Sequence, residues 1–236
     1  MRAISIPKKI HQIWSEKYET LPEAFEILGQ TWKKNHPEWT YIYWNEKAIL
    51  AFLNKYYPKY LSKYHAFTYD IQRWDAIRYL ILLHYGGIYV DFDYECLMNL
   101  EPLLENVNCC FAMEPAEHIT KDTPFPYFNN ALMGCIPGHS FMQEVTHYVF
   151  EDERCMAGSK ENKNDYILKS TGPVMLSTLY QSSIHNNEIS LLLTKNVSPF
   201  TYFESRRYLN GEENEALDNK LNEAYAVHYF LNSWNQ

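Results

Sequence analysis

The chain has 236 residues, 46% hydrophobic and 21% charged, a balance that supports a sizeable packed core and excludes a disordered chain. A net charge of −8 argues against a broad nucleic-acid-binding or anionic-membrane-binding surface. No apolar run approaches the ~18 residues of a membrane-spanning helix.

Residues 8–14, KKIHQIW, form an expected short buried strand entered after Pro7. Residues 21–35 have helical periodicity, and HPEW leads into a second strand at 40–45, TYIYWN. A tyrosine-rich helical stretch at 46–64 is broken at Pro58. The clearest helix covers 68–85, where Ile71, Trp74, Ile77 and Ile81 recur on a helical period before Gly86-Gly87 stops it. Strands are expected near 109–114 and 130–136, a helix near 139–150, a polar loop at 157–165 and a helix starting at Gly172-Pro173. A strand at 189–194, an acidic solvated face at 211–223 and a closing segment at 225–234 complete the chain. Strands alternating with helices indicate an α/β sheet with helices on its faces, and no composition shift marks a boundary, so residues 1–236 read as one domain.

Directly after the long helix lies GGIYVDFDYECL, residues 86–97. As an extended strand it puts Ile88, Val90 and Phe92 on one face and Tyr89, Asp91 and Asp93 on the other. Two carboxylates aimed the same way repel unless a cation or a donor sits between them. Hard cations such as Mg2+ or Mn2+ take such oxygen ligands, and they often hold phosphates as well. The motif alone is weak, since 8 aspartates in 236 residues give roughly 0.3 chance Asp-x-Asp matches. Asp75 and Arg78, three residues apart on one helix face, fit either an intrahelical ion pair or contacts to sugar and phosphate oxygens. Aromatics make up 16% of the chain and serve either to stack on sugar and base rings or to fill a core.

Cys96, Cys109, Cys110, Cys135 and Cys155 form no C-x-x-C pair, and an odd count suits a reducing compartment. The start, MRAISIPKKIHQIW, lacks the long apolar core of a signal peptide. The expected location is the cytoplasm, with peripheral association at the inner face of the plasma membrane.

The run from Asp75 through Arg78, Gly86-Gly87 and Tyr89 to Asp91 and Asp93 resembles the signature of glycosyltransferase family 32. In that pattern Arg follows Asp by three, Gly-Gly follows Arg by eight, and Tyr-x-Asp-x-Asp comes next, as here. The family includes the fungal initiating α-1,6-mannosyltransferase, α-1,4-galactosyltransferases and bacterial capsular polysaccharide enzymes. A small residue, often Ser, commonly precedes the Asp; here it is Trp74. IPKKIHQIW resembles the family's opening strand, HPEWTYIYWNE its second, NNALMGCIPGHSFM the segment presenting an Asn to donor and acceptor, and STGPVML a later helix start. The closing HYFLNSW resembles a His-His-Trp-x-x-Ser-Trp tail, of which His228, Ser233 and Trp234 are kept.

The resemblance, which covers nearly the whole chain, implies a GT-A fold with a mixed, mostly parallel central sheet and helices on both faces. It implies a nucleotide-sugar donor, with UDP-hexoses favoured, a Mn2+ or Mg2+ ion and retention of anomeric configuration. Acceptors would be glycans or lipid-linked oligosaccharides in bacterial surface or capsule synthesis. Asp75, Arg78, Asp91 and Asp93 would form the catalytic set, and Asp91, Asp93 and His228 would hold the metal. Ile13 and Trp14 would meet the base, Tyr89, Asn129 and Asn130 the rest of the donor, and Ser233 and Trp234 its diphosphate, the tail ordering over it. Residues 228–236, following the main core elements, would matter more to transfer than to stability. Glu95 and Glu114 are acids near the expected site and candidates for touching the acceptor, and the other histidines read as structural. Taken alone, Trp14 fits an ordinary core aromatic and His228 a structural histidine. The alternative reading is a noncatalytic carbohydrate-binding protein on the same fold. A glycosidase fits poorly, because Asp91 and Asp93 are too close and parallel to flank a glycosidic bond.

Overall fold

A computed structural model describes residues 6–17, 19–121 and 123–231. The first half runs β1 (Lys9–Ile13), α1 (Glu23–Asn35), β2 (Thr40–Trp44), α2 (Glu46–Tyr56), a 3-10 turn at Pro58, α3 (Leu61–Ala66), α4 (Asp70–Tyr85), β3 (Gly87–Val90) and β4 (Tyr94–Cys96). The second half contains β5 (Cys109–Met113), β6 (Phe128–Cys135), α5 (Ser140–Glu151), α6 (Lys163–Ser170), α7 (Pro173–Ser182) and β7 (Ser190–Leu192). It closes with α8 (Thr194–Val197), α9 (Tyr202–Leu209), α10 (Glu215–Asn222) and β8 (Ala226–His228).

The main sheet has the order β2-β1-β3-β6-β5-β7. Only β6 runs against its neighbours, antiparallel to both β3 and β5, so the sheet is mixed and mostly parallel. Strand alternation sorts side chains onto two faces. Ile13, Tyr89, Cys109 and Phe111 join a core built with α2, α4, α5 and α7. Ile10, Ile88, Val90, Cys110 and Ala112 join another that includes Trp32 of α1 and Val197 of α8. Helices therefore cover both faces, as expected. Helix α4 is enclosed on nearly all sides, with Asp75 to Leu82 all buried, rather than packed by the single stripe read from the sequence.

The α4–β3 connection needs both glycines. Gly86 (φ 61°) and Gly87 (φ 102°) adopt backbone angles that L side chains rarely take, and a Cβ on Gly86 would lie 2.6 Å from Pro137 Cδ. The chain thereby reverses from helix to central strand without a spacer.

Several expectations need correction. β3 ends at Val90, so Asp91 and Asp93 lie in a turn, closed by Tyr94 N–H donating to the Asp91 carbonyl at 3.2 Å. The chain must leave the main sheet there because β4 pairs with β8 in a second, two-stranded sheet. β6 starts at Phe128 and takes in both Asn129 and Asn130. The polar stretch at 157–165 contains the start of α6, capped by Asn162, and the acidic stretch at 211–223 contains α10, capped by Asn214. Each is a short helix held by few apolar contacts, Leu217 of α10 packing with Phe200, Val227 and Tyr229. The same cluster includes Val227 and Tyr229, so residues 228–236, expected to matter more to transfer than to stability, begin within a packed core. Ser233 and Trp234 lie outside the described residues. Among the described residues no helix is long and apolar enough to cross a membrane.

Candidate active site

The parallel strands β1, β3 and β5 end on one edge of the sheet and release Trp14, Asp91 and Glu114 there. The antiparallel β6 begins at the same edge with Asn129 and Asn130. Ligands of open α/β sheets bind outside the carboxyl ends of the strands. A cavity of 910 Å³ opens at this edge, near the upper end of small-ligand pocket sizes. Ile13, Trp14, Arg78, Tyr89, Asp91 and Asp93 line it, as do Asn129, Asn130 and His228. A more open groove of 730 Å³ adjoins it and shares Ser15, Arg73 and Trp74.

The centre is a charge network. Arg78 Nη1 donates to the Asn130 carbonyl at 2.9 Å and stands 3.4 Å from Asp91, while Nη2 is 3.3 Å from Asp75 Oδ1. Its guanidinium lies 4.6 Å from the centre of the Tyr89 ring, and the Tyr89 hydroxyl donates to Asp91 Oδ1 at 2.5 Å. Burial works against the Arg78 charge, but Asp91, Tyr89 and Asp75 outweigh it and keep its pKa above the ordinary arginine value. For Asp91 burial is the main influence and raises its pKa, opposed by Arg78 and reinforced by Asp93.

Asp93 faces the other way. Its Oδ1 is 3.2 Å from His228 Nε2, and its Oδ2 accepts from Leu231 N–H at 2.9 Å. Burial alone would raise its pKa, but the His228 charge and hydrogen bond with the Leu231 amide outweigh burial and hold it low. His228 shows the reciprocal shift: burial pulls its pKa down, and Asp93, with Glu114 and Asp91 further off, pushes it above the usual value. The imidazole stacks on Tyr94 at 4.3 Å, and its Nδ1 is buried without a hydrogen-bond partner.

All three expected metal ligands line the one cavity; Asp93 and His228 are paired with each other, and Asp91 is engaged by Tyr89 and Arg78. Among the described residues no three His, Cys, Asp or Glu side chains are gathered into a metal-binding cluster, because Asp91 is drawn toward Tyr89 and Arg78.

Asp75 does not line the cavity. It is 3% exposed, and its oxygens accept from Asn130 Nδ2 at 2.8 Å and Thr171 Oγ1 at 2.9 Å. Burial raises its pKa to about 6 despite Arg78 and these two donors. The Asn129 amide is held between Glu114 and the backbone of β6. Trp14 meets Phe25 and Phe92 edge-on, and Phe92 lines the same cavity as the two aspartates between which it sits. Glu95 does not line the cavity and accepts from the Tyr229 hydroxyl at 2.6 Å. Glu114 does line it, together with His118, Tyr127 and Phe230. The sequence reading passed over His118; its position four residues after Glu114 was the available signal.

Sheet order, strand-end cavity and the acidic turn together fit a GT-A type fold with a candidate active site at the strand ends, and the comparisons agree in fold and family. The chain matches, over residues 22–109, the family described as glycosyltransferase sugar-binding region containing DXD motif. It is 31% identical over 180 residues to inositol phosphoceramide mannosyltransferase 1 of Schizosaccharomyces pombe, covering 73% of this chain and 50% of that protein. It is 35% identical over 185 residues to mannosyl phosphorylinositol ceramide synthase CSH1 of Saccharomyces cerevisiae, covering 75% of this chain and 43% of that protein. The chain therefore spans about half the length of these curated relatives. The solved PaToxG glycosyltransferase superposes with a TM-score of 0.52 at 16% identity, covering 94% of this chain and 89% of that one, a likeness of fold. The chain belongs to the DXD-motif glycosyltransferase family, glycosyltransferase family 32.

Proposed function

We propose that residues 1–236 act as one catalytic domain that transfers a hexosyl group from a nucleotide sugar to a glycan or lipid acceptor, with metal assistance and retention of configuration. The observation that carries this reading is the acidic turn at the strand ends, with Arg78 and His228 on either side of it, lining one cavity. Carboxylate oxygens and an imidazole are the right kind of donor for Mn2+ or Mg2+, although Asp91 is engaged by Tyr89 and Arg78 rather than gathered with Asp93 and His228. These three residues would hold the ion, which would neutralise charge on the departing diphosphate.

Arg78, fixed by Asp75 and the Asn130 carbonyl, presents a permanent positive charge to the same leaving group. Asp75 acts through Arg78 and Asn130, as a positioning residue. Trp14 supplies a face for the base, and Ile13 and Trp74 line the same cavity. Tyr89 supports Arg78 and Asp91. Ser233 and Trp234 add donors for the diphosphate.

In the transfer step an acceptor hydroxyl oxygen bonds to the anomeric carbon as the bond to phosphate breaks. The electron pair leaves on the nucleotide diphosphate, whose oxygen takes the hydroxyl proton. Same-face attack is favoured because Asp91 is engaged by Tyr89 and Asp93 by Leu231, which leaves neither as a free nucleophile.

On sequence alone UDP-hexoses led; the names of the two fungal relatives favour a mannosyl nucleotide as donor and an inositol-bearing lipid as acceptor, ahead of capsular polysaccharide. Five free, buried cysteines support a reducing compartment such as the cytoplasm.

The test is to incubate purified protein with GDP-mannose and with UDP-hexoses, in Mn2+, in Mg2+ and in EDTA, and to follow nucleotide diphosphate release. Transfer to inositol phosphoceramide and to methyl glycosides is measured in parallel, with the anomer assigned by NMR. Metal-dependent release with an α-linked product from an α-donor is expected; no cleavage of any donor would refute the transferase reading, and full activity in EDTA would refute the metal role.

A further inference from the structure

Glu114 is a buried carboxylate lining the cavity, 8% exposed, whose side-chain partners among the described residues are His118 and Asn129, with no lysine or arginine paired to it. A charge is costly to bury without a cation or full hydrogen bonding, so its surroundings are informative. The β5–β6 ladder shifts register between Phe111 and Met113, an irregularity of the kind that re-aims side chains beside active sites. Glu114 follows directly.

The two groups that hold it have defined orientations. Asn129 Oδ1 accepts from the backbone N–H groups of Ala131 and Leu132, both at 3.0 Å, so its Nδ2 is the atom left to donate to Glu114 Oε1, at 2.9 Å. His118 Nε2 accepts from Tyr202 N–H at 3.0 Å; a backbone N–H can only donate, so the ring proton resides on Nδ1 and goes to Glu114 Oε2, at 2.7 Å. Each carboxylate oxygen therefore has one donor and one remaining lone-pair direction, and the residue can accept only. That suits hydroxyl groups.

Its place along the cavity identifies which hydroxyls. From β1 to β3 to β6 to β5 is three strand steps, roughly 14 Å at ~4.8 Å each. Trp14 stands at the first strand end, the acidic turn at the second and Glu114 at the last. A donor with its base on Trp14 and its diphosphate at Asp91 and Asp93 reaches its anomeric carbon before Glu114, leaving that carboxylate for the incoming partner. Phe230 and Tyr127 line the same cavity beside Glu114, Phe230 set edge-on to His118 and the Tyr127 carbonyl accepting from Glu114 N–H, and they add aromatic surface of the kind that packs on sugar rings.

We propose that Glu114, oriented by His118 and Asn129, is the hydroxyl-binding carboxylate of the acceptor subsite and selects a sugar or polyol ring. This rests on the transferase reading above. His118 is a positioning residue in this scheme.

The experiment compares Glu114→Gln with wild type, using methyl α-mannoside and myo-inositol as probes. Saturation-transfer NMR in the presence of free nucleotide diphosphate reads acceptor binding without turnover, and steady-state kinetics reads acceptor and donor KM separately. Loss of a charge-assisted hydrogen bond predicts a rise of about tenfold or more in acceptor Kd and KM, with nucleotide affinity by calorimetry moving less than twofold. His118→Ala should produce a similar rise and His118→Asn, which restores an N–H close to the Nδ1 position, should recover most of it. On the wild-type protein, removing single hydroxyls from the better probe should reproduce the rise at one position at least, which needs no variant to fold. Unchanged acceptor binding in a folded Glu114→Gln, equal tolerance of every deoxy probe, or a donor KM that rises in step with the acceptor KM would overturn the assignment. Wild-type protein that binds these probes but cleaves no nucleotide sugar would refute the transferase reading while leaving Glu114 as a sugar-binding carboxylate.

Discussion

Replacing Asp75 by asparagine tests whether the buried carboxylate at the centre of the network stabilises the fold or is tolerated for another purpose. In the folded protein its pKa is about 6, raised mainly by burial against Arg78, Thr171 and Asn130, compared with 3.8 for an ordinary aspartate. A raised native pKa means that the folded state binds the proton more tightly than the unfolded chain. Stability contributed by the protonated form is then full below pH 3.8 and is lost as pH rises toward 6. The difference between 6 and 3.8, at 1.36 kcal/mol per unit, is about 3 kcal/mol. Asparagine has the same shape and cannot ionise, so the variant escapes this loss. It gives up one of the two carboxylates beside Arg78 and turns an amide toward the Asn130 amide. Urea denaturation of both proteins at pH 4, 5, 6 and 7 should show the variant gaining about 3 kcal/mol relative to wild type across that range, while transfer falls at least tenfold because Arg78 loses its anchor. A stability difference that stays flat with pH, or that moves toward wild type as pH rises, would refute the reasoning and mean that the Arg78 attraction exceeds the cost of burial.

Four further variants have defined expected outcomes. Asp93→Asn removes a charge but keeps an oxygen for the Leu231 amide, so the fold should survive while calorimetric affinity for Mn2+-nucleotide diphosphate drops at least tenfold; unchanged affinity would count against coordination by Asp93. Trp14→Ala should weaken free nucleotide binding by about 1–3 kcal/mol whichever sugar is attached, and an unchanged Kd in a folded variant would return Trp14 to an ordinary core role. Truncation after Leu231, which removes Ser233 and Trp234, should lower transfer at least tenfold with a melting temperature close to wild type. Truncation after Val227 should in addition cost several kcal/mol, because Tyr229 is buried with Phe200 and Leu217; equal melting temperatures for the two truncations would contradict that packing.

What the sequence determined on its own are the features fixed by local pattern. The apolar runs of β1 and β2, the stop at Gly86-Gly87 and the spacing of Asp75, Arg78, Asp91 and Asp93 all lie within short stretches, where side-chain period and turn chemistry act directly. The short helices α6 and α10 escaped because each buries too few side chains to print a period on the sequence. The division of labour among the acids was decided only by tertiary structure. Asp91 and Asp93 look equivalent as a motif, yet β4 must leave the main sheet to meet β8, and the resulting turn sends Asp91 to Arg78 and Asp93 to His228, 135 positions later in the chain. By spacing Asp75 fits either an intrahelical ion pair or a sugar contact, and it becomes a buried anchor because Thr171 and Asn130 close over it. Glu114 and His118 acquire meaning only when Asn129 and the Tyr202 amide arrive from other elements. Charge and hydrogen-bond partners drawn from distant segments leave no local period, so the fold alone could assign these side chains their surroundings.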